Sequence, residues 1–377
     1  MSTSRSHDSA TAASKPAPGE RIAAIDVGSN SIRLVVAEYD PQAGLTIIDE
    51  VKDQPRLATG LAATGRLDEF AMARAIQTLQ RMREVTKRRG VRRLVAVATS
   101  AVREASNGAA FVSRVKKDTG IPLRIIDGKT EGALSWRSVA HHFPLAGTRT
   151  IVADIGGGSL ELIGAVNGLV EATASLPLGA VRLTELFPPD DARGQKSLKS
   201  LRKTIRKKLR KAMDWRGWNG GTLIGSGGTF TNLARMALLR RGHTAIDAVH
   251  GEEITTAEVE LLLKWLSTRT AEERRAMPGL NPQRADIILA GLAVTAELLS
   301  LTGAAGVRVS AFGLREGLLL EMVGEVSPEA SDPLRPLREF VERCQVDRRH
   351  VEQVRVLALA LFDQLGGVLG CDESERW

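Results

Sequence analysis

The chain has 377 residues, 43% hydrophobic, 25% charged and 4% aromatic, which is ordinary for a soluble globular protein of two or three domains built on Leu, Val, Ile and Ala. Its two cysteines, Cys344 and Cys371, exclude a disulfide framework and fit a reducing cytoplasm. No apolar run reaches the ~20 residues of a membrane span, and a formal charge of +8 reads either as ordinary basicity or as a preference for polyanions such as nucleic acid, acidic lipid or a phosphorylated substrate.

In chain order, 1–20 is rich in Ser, Ala, Thr and Pro, lacks a signal-like apolar stretch and reads as a disordered tail. Strands are predicted near 21–27, 31–39 and 45–52. The first two enclose Asp26, Gly28, Ser29, Asn30, Ser31, Arg33 and Leu34 in the pattern D-V-G-S-N-S-I-R-L. A helix carrying Phe70, Ala73, Ile76, Leu79, Met82 and Val85 at helical spacing runs to Arg89, where Gly90 stops it. Leu94 to Ala98 is a buried strand. After it, Thr99, Ser100 and Arg103 sit where α/β sheets place ligands, or else form a strand-end cap and surface ion pair. A helix over 108–117, a strand over 123–126 and a helix from about Thr130 follow. From spacing alone, Glu131 reads first as a first-turn carboxylate favoured by the helix dipole, and second as a proton acceptor for water. His141 and His142 lack partners at metal-ligand spacing and read as structural.

The second half repeats this order, with strands near 149–154, 159–166 and 169–175. At its start D-I-G-G-G-S-L-E-L places Asp154, Gly156, Gly157, Gly158, Ser159 and Glu161 at the offsets of the first pattern, 128 residues later. A strand, a tight Gly/Ser turn and a strand form a hairpin whose backbone N–H groups can face a phosphate, and whose leading carboxylate can hold a metal. Two copies imply a duplicated fold with a phosphate-handling cleft between the halves. Helices are predicted near 179–186 and 195–213. In the latter, Leu198, Leu201, Ile205 and Leu209 form an apolar stripe, while 196–211 holds nine Lys/Arg and no acid. This reads first as a solvated face packed by its stripe, and second as a track for a long polyanion. Ser226, Gly227, Gly228 and Thr229 follow a short strand and open a helix. They form a tight βα turn that also suits an anion, without the Lys-Ser/Thr ending of a P-loop. An insertion with its own helices spans 243–280. A long helix over 282–301, a strand over 307–310 and a closing helix over 313–321 complete the repeat. Three prolines mark a linker over 327–336, and 337–369 is predicted helical. Helical crossovers between the strands imply mixed sheets flanked by helices, an α/β class.

Eight segments in order resemble one family. They are I-D-V-G-S-N-S-I-R-L, A-T-S-A-V-R-E-A-S-N (98–107), I-I-D-G-K-T-E (125–131), D-I-G-G-G-S-L-E-L, L-P-L-G-A-V-R-L (176–183), G-S-G-G-T (225–229), R-A-D-I-I-L-A-G (284–291) and G-L-R-E-G (313–317). Over about 20–325 the chain is similar to the exopolyphosphatase / guanosine pentaphosphate phosphohydrolase (Ppx/GppA) family. The resemblance implies two actin-like (ribonuclease H-like) domains over 21–145 and 146–325. It also implies that 326–377, linker and helical segment, is similar to the start of a truncated HD-like domain. It implies Mg²⁺-assisted attack of water on a terminal phosphoanhydride, with Glu131 as base, Arg103 on the substrate, and Asp154 and Glu161 on metal and water. The turns Gly28–Asn30, Gly156–Ser159 and Ser226–Thr229 are implied to cradle phosphates. Gly132 stands where the family usually has Ala, and Ala311 where it often has an acid.

The function expected is exopolyphosphatase, with guanosine pentaphosphate hydrolysis or a weakly catalytic polyphosphate or alarmone sensor as alternatives. An actin-like kinase or chaperone ATPase is disfavoured by the ordered segments. A homodimer, no membrane and no specific nucleic acid are the expected partnerships.

Overall fold

The computed structural model describes residues 15–188, 194–244, 246–324 and 348–369. Most of the expected tail, the Pro-rich linker and the start of the expected C-terminal helix lie outside them. Contacts divide the chain into one unit through Ala330 and another from Ser331.

The first unit contains two sheets of matching topology. In the first lobe β1 (Glu20–Val27), β2 (Ile32–Asp40) and β3 (Gly44–Asp53) form an antiparallel meander, and β4 (Arg93–Ala98) and β5 (Leu123–Ile125) add in parallel, giving the order β3-β2-β1-β4-β5. The connections hold α1 (Leu61–Thr64), α2 (Glu69–Arg88), α3 (Ser100–Glu104) and α4 (Gly108–Thr119), and α5 (Gly128–His142) leads to the second lobe. There β6 (Arg149–Ile155), β7 (Leu160–Val166) and β8 (Leu169–Leu176) repeat the meander. Next come α6 (Ala180–Leu186), α7 (Gly194–Ala212), β9 (Thr222–Ser226) and α8 (Gly228–Arg240). The insertion supplies β10 (Glu253–Thr255), α9 (Thr256–Ser267) and α10 (Ala271–Arg275). The chain continues through α11 (Ile288–Thr302), β11 (Gly306–Ser310) and α12 (Leu314–Val323). The second sheet runs β10-β11-β9-β6-β7-β8, with β9 parallel to β6 and β11 parallel to β9. These are the mixed sheets expected from the alternating elements; the three-residue β10 is an addition.

The central strands are buried on both faces, so Ile22 to Ile25 and Ile151 to Ala153 read as continuous apolar runs. Helix α2 buries Met72, Ala75, Ile76, Leu79 and Met82, but Phe70, part of its expected stripe, is 76% exposed. Helix α11 is apolar nearly all round and buried accordingly. Its one acid, Glu297, accepts from Arg202 Nε at 2.7 Å and Arg206 Nε at 2.6 Å. Two cations of the basic helix α7 are thereby committed inward, alongside buried Leu201, Ile205 and Leu209.

Helices α5 and α12 lie between the sheets. Leu314, Leu318 and Leu319 of α12 pack with Ile22, Ala24 and Val35 of the first sheet, whereas Val139 of α5 packs with Val152 and Ile163 of the second. The two helices touch so closely that a Cβ on Gly317 would stand 2.0 Å from the carbonyl oxygen of Leu134. This crossing sets the first turn of α5 between the lobes. In the second unit, the described residues form α13 (Arg348–Leu369), which exposes Val354, Leu357, Leu361 and Leu365.

Candidate active site

The two hairpins are built alike. Asp26 pairs opposite Arg33 across β1 and β2, and Asp154 opposite Glu161 across β6 and β7. Each turn closes with the same bond, Gly28 N–H to Ser31 O at 3.1 Å and Gly156 N–H to Ser159 O at 3.0 Å. The tips meet: a Cβ on Gly157 would stand 2.8 Å from Ser29 Cβ and 3.1 Å from the backbone nitrogen of Asn30, an approach that glycine permits. Among the described residues, the N–H groups of Ser29, Asn30, Gly157 and Gly158 donate to no acceptor, and neither do those of Gly227 and Gly228. Successive free N–H groups in tight turns, joined by the N-terminus of α8, form concavities for anions. Gly227 takes φ +99°, and a Cβ there would lie 2.9 Å from Ile155 O.

These turns line a cleft of about 110 Å³ between the lobes, together with Asp26, Thr99, Glu131 and Asp154. Asp127 caps α5 by accepting from Thr130 N–H at 2.7 Å, which presents Glu131 in the first turn. Glu131 is 7% exposed, and Arg103 Nη1 donates both to its Oε2 at 3.1 Å and to Ile126 O at 2.8 Å. Arg103 is not among the cleft-lining residues; it holds Glu131 instead. Burial, then the charge of Glu161, push the Glu131 carboxyl well above the usual range, and Arg103 opposes this. Asp154 accepts from Ser135 Oγ at 2.5 Å, and burial raises its pKa. Glu161, 1% exposed, accepts from Ser175 Oγ at 2.9 Å, and burial followed by the Asp154 charge push it up to about 8. Asp26 is pushed up to about 6, chiefly by burial, and its Oδ1 has no partner. Glu161 does not line the cleft, and Thr229 packs its side chain against Gly291 while Thr231 faces the cleft.

Among the described residues, no three His, Cys, Asp or Glu side chains form a metal cage. The donor set still suits Mg²⁺, which is held by one or two carboxylates and fills its shell with water and phosphate oxygens. Asp154 raises the pKa of both Glu161 and Asp26, and Asp26 Oδ1 has no partner; a cation beside Asp154 would relieve both.

Sequence reasoning assigned no role to Arg284, Arg315 and Glu316, which also line the cleft, and it noted Arg33 only as the counterpart of Glu161. Their signal was membership in the two final ordered segments. Arg284 is 5% exposed with its Nε unpartnered, and burial, then Arg33, lower its pKa to about 10.

The family model for the Ppx/GppA phosphatase family matches residues 35–326. The chain is 32% identical over 302 residues to a Mycobacterium leprae protein named exopolyphosphatase 1, covering 80% of this chain and 88% of that one. It is 30% identical over 306 residues to exopolyphosphatase 1 of Mycobacterium tuberculosis, covering 80% and 87%. Among solved structures, it superposes on a Ppx/GppA family member from Aquifex aeolicus with TM-score 0.68 at 32% identity, covering 81% of this chain and 97% of that one. With an exopolyphosphatase from Cytophaga hutchinsonii the TM-score is 0.76 at 28% identity, covering 82% and 99%. Among the described residues no helix is long and apolar enough to cross a membrane.

Proposed function

The chain belongs to the Ppx/GppA phosphatase family, and we propose that it is an exopolyphosphatase, hydrolysing the terminal phosphoanhydride bond of inorganic polyphosphate to release orthophosphate. One observation carries the reading: two equivalent hairpin turns with free N–H groups converge on one cleft with the Glu131 carboxyl.

In this mechanism the turns at 28–31, 156–159 and 226–229 hold the terminal phosphate, and their N–H groups offset the charge of the transferring phosphoryl group. Glu131 takes the proton of the attacking water on its carboxylate, and Arg103 orients that carboxylate and favours its ionised form. Asp154 and Glu161 are the residues that would hold Mg²⁺. When bound, it supplies positive charge to the phosphate oxygens and to the carboxylates around it. Water attacks phosphorus directly, so no covalent phosphoenzyme forms and the shortened chain is the leaving group.

The activity is tested by Mg²⁺-dependent phosphate release from polyphosphate of defined length beside guanosine pentaphosphate at equal concentration. Faster release from polyphosphate supports the reading. Release from the nucleotide alone assigns the same site to pentaphosphate hydrolysis.

A further inference from the structure

The free N–H groups of the two hairpin turns are aimed from behind. In a trans peptide the C=O and N–H point in opposite directions, so a bond accepted by one carbonyl directs the next residue's N–H the other way. In the first turn Ser29 O accepts from Ala58 N–H at 2.9 Å, and Asn30 O from Arg56 N–H at 3.2 Å. In the second, Gly156 O accepts from Ala180 N–H at 3.0 Å, Gly157 O from Val181 N–H at 2.9 Å, and Gly158 O from Arg182 Nε at 3.0 Å. Both supports follow the third strand of their meander, β3 in the first lobe and β8 in the second. Each carries an arginine that reaches into the opposite lobe. Arg56 Nη1 donates to Asp286 Oδ2 at 2.6 Å, and its Nη2 to Gln283 O at 3.1 Å. Arg182 Nη2 donates to Glu104, the last residue of α3. Arg56 also holds φ +55°, a left-handed backbone that is unfavourable for a residue with a Cβ and persists where surrounding bonds impose it.

We propose that Arg56 and Arg182 are positioning residues, two reciprocal clasps that set the phosphate turn of each lobe against the opposite lobe. This deepens the hydrolase reading above and rests on it. Neither arginine lines the cleft, so each acts through the backbone it holds. Each clasp ends beside an arginine already placed at the site. Asp286 stands two residues beyond Arg284, which lines the cleft, and Glu104 directly follows Arg103, which holds Glu131. One clasp therefore ties the first turn to the segment bearing Arg284, and the other ties the second turn to the segment bearing Arg103. Misplacing reacting groups by about 1 Å costs up to about 100-fold in rate, so a joint outside the cleft can govern turnover.

The test is a pair of double-mutant cycles, Arg56→Gln with Asp286→Asn and Arg182→Gln with Glu104→Gln, read on polyphosphate hydrolysis with thermal melts. Each single substitution is expected to lower kcat about tenfold and to change KM less than about threefold. Each double variant is expected to lose no more than its singles, because the partners act as one contact. Partly exposed ion pairs add little stability, so the melting temperatures should stay within about 3 °C of the wild type. Arg56→Gly separates the roles further. Glycine suits φ +55°, so this variant is expected to melt near the wild-type temperature and still lose about tenfold in kcat. The cycles are independent, so one variant failing to fold leaves the other cycle to decide. Folded variants with unchanged kcat overturn the clasps, and so does a double variant whose loss is the product of its singles. If the wild type releases no phosphate from polyphosphate, hydrogen exchange reads the clasps without turnover. Asp286→Asn, in the second lobe, is then expected to speed exchange of the Arg56 and Ala58 amides in the first about tenfold. That result keeps the clasps and drops the hydrolysis reading; unchanged exchange overturns the clasps.

Discussion

Asp154 stands directly opposite Glu161 in the pairing of β6 with β7, so a half-buried and a buried carboxylate face each other where the first hairpin sets Asp26 against Arg33. Like charges opposite one another in a ladder cost stability, about 0.2–1 kcal/mol at ordinary sites. Glu161→Gln is therefore expected to raise the melting temperature of the chelator-treated protein by about 1–4 °C. It is also expected to cut phosphate release at least about 100-fold and to abolish the thermal shift that Mg²⁺ gives the wild type. Scanning calorimetry with and without chelator, beside a release assay, measures all three. A lower melting temperature together with intact release would sink the metal assignment.

Arg103 acts on Glu131 through the contact at 3.1 Å. It is the main group holding the Glu131 pKa down against burial and Glu161. Arg103→Gln should therefore move the acidic limb of the kcat/KM profile to higher pH and lower kcat about 10- to 100-fold. A pH–rate profile checks the sign, and a limb that stays put removes Arg103 as the residue positioning the base.

Two glycines, Gly132 of α5 facing β7 and Gly317 of α12 facing α5, make opposite predictions. A Cβ at Gly132 would meet Ile163 at 3.5 Å, an ordinary contact, so Gly132→Ala is expected to stabilise the protein by about 0.5–1 kcal/mol through helix propensity. At Gly317 a Cβ would stand 2.0 Å from Leu134 O, so Gly317→Ala is expected to cost about 2 kcal/mol or more. Urea midpoints compared with the wild type measure both, and similar midpoints for the two variants would contradict this packing.

His250 packs against His142, Phe143 and Phe312, with ring centroids 5.7, 4.7 and 4.9 Å away. Burial lowers its pKa from 6.5 to about 4. A base with a lowered folded-state pKa contributes stability above its unfolded value. That stability is lost as pH falls from about 6.5 toward 4, by at most about 3 kcal/mol. Across this window the wild type should lose more stability than His250→Phe, in chemical denaturation at matched pH. Parallel losses in both proteins would show that His250 does not carry the dependence.

Much of this architecture was legible in the chain. The repeated turns were readable because a phosphate-facing hairpin needs Gly and Ser at set offsets and a carboxylate at its entrance, and that pattern recurs 128 residues on. Periodicity located α2 and α7, but it reports only that a face is apolar. It could not tell that Phe70 faces solvent, or that α12 packs on the first sheet although it follows the second in sequence. The charge run of α7 did not reveal that Arg202 and Arg206 are committed to Glu297, because that partner lies more than ninety residues away. For the same reason the sequence assigned no role to Arg284 and Arg315. Their place in the cleft depends on how α11 and α12 return to the lobe junction.

The most direct test of the account is Mg²⁺-dependent phosphate release from long-chain polyphosphate by the wild type and by Glu131→Gln, with tripolyphosphate binding measured on both. The account predicts release by the wild type and a rate about 10²- to 10⁴-fold lower in the variant, with binding retained. A variant that releases phosphate at the wild-type rate, or a wild type that releases none from polyphosphate, would contradict it.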